Sequence, residues 1–202
     1  LPIFSKHGIR QTILVQAAPT VAETEFMLGI ADETPFVAGV VGWVDFTAKD
    51  APDAIDALSA NPLLVGLRPM VQDIADDDWL LRCDLAPAIE AMIAHGLVFD
   101  ALVLVKHLPR LERFVERYPG LRVVIDNGAK PQIRDQAFAP WRNAIAPLAA
   151  DQRIMCKMSG LVTEAGAAWT AEDLRPYCEV LLDLFGPQRL IWGSDWPVVN
   201  LA

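Results

Sequence analysis

The chain has 202 residues, 53% of them hydrophobic, with 17 Lys and Arg against 26 Asp and Glu and a formal net charge of −9. That composition excludes disorder and suffices for a sizeable core, while a pI near 4.7 argues against nucleic acid or an anionic membrane as main partner. Apolar runs such as residues 99–105 are too short to span a bilayer, no secretory signal is expected, and Cys83, Cys156 and Cys178, odd in number and widely spaced, suit reduced thiols in a cytoplasmic protein.

In chain order, a first strand is predicted over residues 12–17 (TILVQA). Pro19 and Thr20 then cap a helix running to about Ala31, with Glu23 as the capping-box partner of Thr20. A second strand over residues 36–46 leads to a helix over residues 51–60, stopped by Asn61 and Pro62. The third strand, residues 63–70, precedes an acidic run, Asp76, Asp77 and Asp78, read as a solvated turn before Trp79. An amphipathic helix over residues 84–95 closes at Gly96, and a fourth strand follows over residues 99–105. A helix over residues 108–118 leads to the fifth strand, residues 121–126. The next helix, residues 136–149, has a broken or late start because of Pro140 and Pro147. The sixth strand covers residues 154–158, Thr170 caps a helix over residues 174–185, and the seventh strand covers residues 190–193.

Several of these strands are apolar on both faces, as in a parallel sheet covered by helices, so repeated βα units specify an α/β fold. The competing open doubly wound sheet lacks support: no GxGxxG or P-loop follows any strand, and seven units in a row are many for it. No linker or sequence repeat interrupts the series, which reads as one domain over residues 1–202.

Functional side chains of such folds gather at the carboxyl ends of the strands. Those ends offer Gln16, Trp43, Asp45, Arg68, Gln72, Lys106, His107, Asp126, Asn127, Lys157, Ser159, Ser194, Asp195 and Trp196, a set suited to a small anionic or polyhydroxylated substrate. Asp195, ending an apolar strand between two tryptophans and a proline, suits a general base or a metal ligand, with backbone capping as the plainer role. His107 suits a base, a metal ligand, a substrate donor or a structural hydrogen bond. Arg68 suits a substrate carboxylate or carbonyl, or an ion pair, and Lys157 and Ser159 are similar candidates. Trp169 reads as a lid residue or as core. No HxH, HExxH or CxxC spacing occurs, so a self-contained metal site is not supported.

The segments Leu14-Val-Gln-Ala-Ala-Pro19, Gly39-Val-Val-Gly-Trp-Val-Asp45, Gly66-Leu-Arg-Pro-Met70, Lys106-His-Leu-Pro109, Val124-Ile-Asp126, Lys130-Pro131, Cys156-Lys-Met-Ser-Gly-Leu161, Phe185-Gly-Pro and Arg189-Leu-Ile-Trp-Gly-Ser-Asp-Trp-Pro-Val198 run in order along the chain. Together they resemble the amidohydrolase-related family that includes L-fuconolactonase and 2-pyrone-4,6-dicarboxylate lactonase. The Gly-Ser-Asp-Trp-Pro segment is the most specific part. The resemblance implies a (β/α)8 TIM barrel that hydrolyses a small lactone of the sugar-lactone or pyrone-dicarboxylate type. It implies Asp195 as the base activating water, with His107 as a second catalytic candidate at a position lining the substrate pocket. Arg68, also at a pocket-lining position, joins Asn127, Lys157 and Trp196 as the substrate-binding set.

Some relatives hold a divalent metal such as zinc and others none, with Asp195 the one good candidate ligand here. Asn127 stands where the family usually has histidine, and it is neither a base nor a good ligand. The family's opening His-x-His strand is not found before Leu14 and its last helix not after Ala202. The expectation is therefore an incomplete barrel that is unstable alone or pairs through open strand edges, with a homo-oligomer left open. Two alternatives also stay open, an impaired remnant or binding protein of the same fold and a metal-dependent decarboxylase.

Overall fold

Short apolar strands alternate with helices as predicted, and the paired strands are parallel. The computed structural model describes the backbone of residues 2–202 and the side chains of residues 4–202. The described residues form two compact units.

One unit takes the chain up to Pro69 together with Cys83–Asp100. It contains α1 (Pro2–Lys6), β1 (Thr12–Val15), α2 (Val21–Glu33), β2 (Val37–Gly42), α3 (Ala51–Ser59), β3 (Leu64–Leu67), α4 (Ala86–Ala94) and β4 (Val98–Ala101, whose last residue counts with the other unit). The strands pair in sequence order, with Val15 beside Val41, Gly42 beside Leu67 and Leu67 beside Phe99. Val40, Ile55, Leu67, Ile89, Met92 and Phe99 are fully buried and form its core. β2 ends four residues before the predicted limit for a physical reason. The buried Thr24 hydroxyl accepts the Trp43 N–H (2.8 Å) and donates to the Trp43 carbonyl (3.1 Å), which takes both groups out of the ladder. Gly42 makes room for it, since a Cβ there would lie 2.3 Å from Thr24 Cγ2. The capping box of α2 is half realised. Thr20 Oγ1 accepts the Glu23 N–H, but the Glu23 carboxylate reaches back to the N–H groups of Ala17 and Ala18 (2.9 and 2.6 Å) and pins the turn after β1.

The other unit consists of Met70–Arg82 and Ala101–Ala202. It contains α5 (Leu108–Arg117), β5 (Arg122–Ile125), α6 (Phe138–Ala150), β6 (Ile154–Met158), α7 (Leu161–Ala165), α8 (Ala171–Phe185) and β7 (Leu190–Trp192). Ile125 pairs with Cys156 and Met158 with Trp192. Leu111, Phe114, Ile125, Trp141, Ile145 and Leu181 are fully buried, and Phe138, Trp141 and Tyr177 form an aromatic cluster with centroids 5.1–5.9 Å apart. α6 starts at Phe138, so that Pro140 falls in its first turn, where no intrahelical N–H is required. α8 begins three residues earlier than predicted, because Thr170 and Asp173 form a full capping box directly before it. The fourth predicted strand overran: beyond Ala101 the Leu102 carbonyl accepts the Gln72 N–H (3.0 Å), and Val105–His107 turns into a short 3-10 helix. Among the described residues no helix is long and apolar enough to cross a membrane.

Candidate active site

In the second unit the carboxyl ends of β5, β6 and β7 carry its polar groups. Lys157, on β6, places its ammonium 2.5 Å from Asp126 Oδ1 immediately after β5, and the two side chains are 15% and 2% exposed. Ser159 donates its hydroxyl to Asn127 Oδ1 (2.6 Å), which leaves the Asn127 amide protons as donors. The backbone that presents Asn127 is unusual. Residues 127–130 all have positive φ (50°, 57°, 60° and 52°), and the turn closes with the Lys130 N–H donating to the Asn127 carbonyl (2.8 Å). Left-handed conformation costs a non-glycine residue roughly 1–2 kcal/mol, so Asn127, Ala129 and Lys130, with Gly128 among them, persist in it only where tertiary contacts impose it. Those contacts are visible: the buried Trp141 indole donates to the Gly128 carbonyl (2.7 Å), and Lys130 Nζ lies 3.2 Å from Gln72 Oε1 and 3.4 Å from Glu164 Oε1. Gly160 faces Asn127, and a Cβ there would sit 2.6 Å from Asn127 Cγ. The glycine lets the β6 loop close over the amide.

Asp195 follows β7 with φ 53°, its carbonyl accepting the Val199 N–H (2.8 Å) and its Oδ2 shielded from solvent. Gly193 packs on Ser159, with a hypothetical Cβ 2.9 Å from Ser159 Cβ, so the ends of β6 and β7 are in contact. Trp192 and Trp196 are 69% and 73% exposed. Trp169, read as lid or core, is 40% exposed and therefore not core. Burial pushes the Cys156 thiol pKa up, which leaves a protonated, inert sulfur on β6.

The acidic run is not a plain solvated turn. The strap Met70–Arg82 is tied by Gln72 to Leu102 and Lys130, by Asp78 to Arg110 (2.8 Å) and by the Leu81 carbonyl to Arg117 (3.1 Å). Its Asp77 Oδ1 lies 2.6 Å from Lys106 Nζ and 3.6 Å from His107 Nε2. The Lys106 hydrogen bond holds the Asp77 carboxyl below the usual carboxylate range. His107 is completely buried, and its Nδ1 accepts the Leu104 N–H (3.1 Å). A neutral ring so bonded carries its proton on Nε2, and a second proton on Nδ1 would break the Leu104 bond. Burial, with the Lys106 ammonium nearby, accordingly lowers the His107 pKa. The sign of the consequence is definite. As pH falls below about 6.5 the unfolded chain takes up a proton that folded His107 refuses, so the folded state loses stability until the depressed folded value is passed. Urea midpoints measured between pH 7.5 and 5 should fall with a slope from this group no steeper than about 1.4 kcal/mol per pH unit. His107→Gln should flatten that part of the dependence, and an unchanged slope would contradict the assignment.

The first unit supplies Arg68, directly after β3. Its guanidinium Nη2 donates to the Gln16 carbonyl, while the fully buried Gln16 side chain donates from Nε2 to the Arg68 carbonyl (2.8 Å). Asp45 Oδ1 accepts both the N–H and the hydroxyl of Thr47 (2.9 and 2.7 Å), a local turn role. Of the residues singled out from the sequence, the structure thus joins Asp126 with Lys157 and Asn127 with Ser159, and brings Lys106 and His107 to one carboxylate, Asp77. Arg68 is tied to Gln16 within its own unit. Asp77 was missed because three consecutive aspartates carry no spacing signal, and the Lys130–Gln72 contact because it is made across 58 residues. Among the described residues no three His, Cys, Asp or Glu side chains stand together to hold a metal ion. Asp126 is engaged by Lys157, and the Nδ1 lone pair of His107 by Leu104.

The family profile described as amidohydrolase matches residues 5–202. The chain is 49% identical over 201 residues to an L-fucono-1,5-lactonase of Burkholderia ambifaria, covering all of this chain and 69% of that protein. It is 37% identical over 216 residues to an L-fucono-1,5-lactonase of Burkholderia multivorans, covering all of this chain and 71% of the relative. The crystal structure of an amidohydrolase from Burkholderia multivorans with bound zinc superposes with a TM-score of 0.92 at 37% identity, over 100% of this chain and 73% of that one. By profile, sequence and fold together, the chain belongs to the amidohydrolase family.

Proposed function

We propose that the protein hydrolyses a small lactone, of the sugar-lactone type, with Asp195 as the base that activates water. The observation carrying this reading is its 49% identity, along its whole length, to an L-fucono-1,5-lactonase, and the strand-end chemistry of the second unit suits the reaction. Asp195 accepts a proton from water as the oxygen attacks the lactone carbonyl, and the carbonyl oxygen gains negative charge. The Lys157 ammonium, kept in place by Asp126, meets that charge. Collapse of the tetrahedral species breaks the ring C–O bond, and the leaving alkoxide takes the proton back from Asp195. The product is the open hydroxy acid. Asn127 donates from its amide protons, and the exposed Trp196 ring offers an apolar face to the substrate. His107, completely buried, stands behind the substrate groups, its Nδ1 bonded to Leu104 and its Nε2 facing Asp77.

We further place the residues in a single barrel-type domain, since the chain passes repeatedly between the two units and neither is continuous in sequence. Three free cysteines favour a cytoplasmic location. Among the described residues no three His, Cys, Asp or Glu side chains supply a donor set for a metal. Incubation with L-sugar lactones in a pH-stat tests the reading. Acid release well above the spontaneous rate is expected, and release at the spontaneous rate with every lactone tried would overturn it.

A further inference from the structure

Asp77 and Lys106 form an ion pair with hydrogen-bonding capacity left over on both sides. Oδ1 of Asp77 takes the Lys106 ammonium at 2.6 Å and faces His107 Nε2 at 3.6 Å, while no contact is recorded for Oδ2 among the described residues. Lys106 keeps two of its three protons for other acceptors. Both side chains are about half exposed, 44% and 51%, although the groups behind them are buried. His107 is one of these, completely buried, with Nε2 lacking a hydrogen bond within normal length. An ordinary surface ion pair has no such backing and contributes little. Here the strap is bonded on either side of Asp77, through Gln72 to Leu102 and Lys130 and through Asp78 to Arg110 on α5. The carboxylate is consequently held in one orientation, with its unused oxygen open to a ligand.

A carboxylate acceptor beside an ammonium donor matches two neighbouring hydroxyls. One hydroxyl donates to the carboxylate, and the oxygen of the other accepts from the ammonium, since adjacent hydroxyls lie about a hydrogen-bond length apart. We propose that Asp77 and Lys106 are the residues that read two adjacent hydroxyls of the lactone ring, Asp77 as the acceptor and Lys106 as the donor. This rests on the lactone-hydrolase reading, which it narrows. His107 is then a positioning residue that fixes Asp77 from behind. Because its pKa is held down by Lys106, Asp77 remains an acceptor throughout the neutral and mildly acid range.

Calorimetric binding of lactams, which the protein does not need to open, tests the subsite independently of turnover. The probes are a polyhydroxylated δ-lactam, its two analogues each lacking one of the adjacent hydroxyls, and unsubstituted 2-piperidone. The wild-type protein should bind the diol lactam at least about tenfold more tightly than either deoxy analogue, the size expected of a hydrogen bond to a charged group. Asp77→Asn should reduce that preference to below about threefold, and so should Lys106→Met, whose half-exposed site tolerates the change without loss of the fold. Equal binding of all four lactams by the wild type, or an undiminished preference in both variants, would overturn the subsite. Absence of lactone turnover with the diol preference intact would count against the hydrolase reading alone.

Discussion

Asp195→Asn should lower kcat for lactone opening by about 10²- to 10⁴-fold, the range that a positioned general base contributes, with a much smaller change in KM. Asparagine keeps the shape of the side chain and its ability to accept from backbone N–H groups, but it does not take a proton from water. It also tolerates the backbone. Asp195 has φ 53°, a conformation that Asn adopts about as readily as Asp and that Ala does not. Melting temperatures of wild type and Asp195→Asn should therefore nearly coincide, whereas Asp195→Ala should lose roughly 1–2 kcal/mol of stability as well as activity. That contrast separates a chemical role from a capping role. If Asp195 only closed the turn to Val199, the asparagine variant would turn over normally. Unimpaired turnover by Asp195→Asn would remove this residue from the mechanism.

How much of this was legible in the sequence depends on whether the signal was local. The Ile154–Met158 strand was legible with both ends correct, because the polar residues Asp151, Gln152 and Arg153 precede it and Ser159 and Gly160 follow it. β2 and β4 were drawn too long, because the contacts that end them, Thr24 to Trp43 and Gln72 to Leu102, come from distant residues. The apolar run past each end is real, but it packs as loop. The left-handed turn at residues 127–130 carried a sequence signal only in its first half, at Asn127 and Gly128. A sequence signal for positive φ is glycine or asparagine, and Ala129 and Lys130 are neither. Their conformation is imposed by Trp141, Gln72 and Glu164. Of the strand-end candidates, Lys157 stands on β6, and Arg68, Asn127 and Asp195 follow β3, β5 and β7 within three residues. Pairings such as Asp77 with Lys106 depend on a loop crossing back, which no local pattern encodes.

Lys157→Met should cost about 3–5 kcal/mol, because it leaves the Asp126 carboxylate, 2% exposed, without its ammonium. A urea melt followed by circular dichroism reads this as a lowered midpoint at unchanged slope. Asp126→Asn alone should cost a comparable amount, since it strands the ammonium instead. The double variant Asp126→Asn with Lys157→Met should be more stable than either single one, because no uncompensated charge remains in the interior. Additive losses in the double variant would mean that the two groups are held by other partners and not chiefly by each other. Activity should follow the opposite pattern. The double variant regains fold stability but has no cation to meet the charge developing on the lactone oxygen, so its turnover should stay as low as that of Lys157→Met. A buried ion pair is poor value for stability alone, since apolar residues of similar volume fill such a place as well or better. What the pair supplies is a charge fixed in direction before substrate arrives. Recovery of stability without recovery of turnover would identify that fixed charge as the reason Asp126 and Lys157 stand where they do.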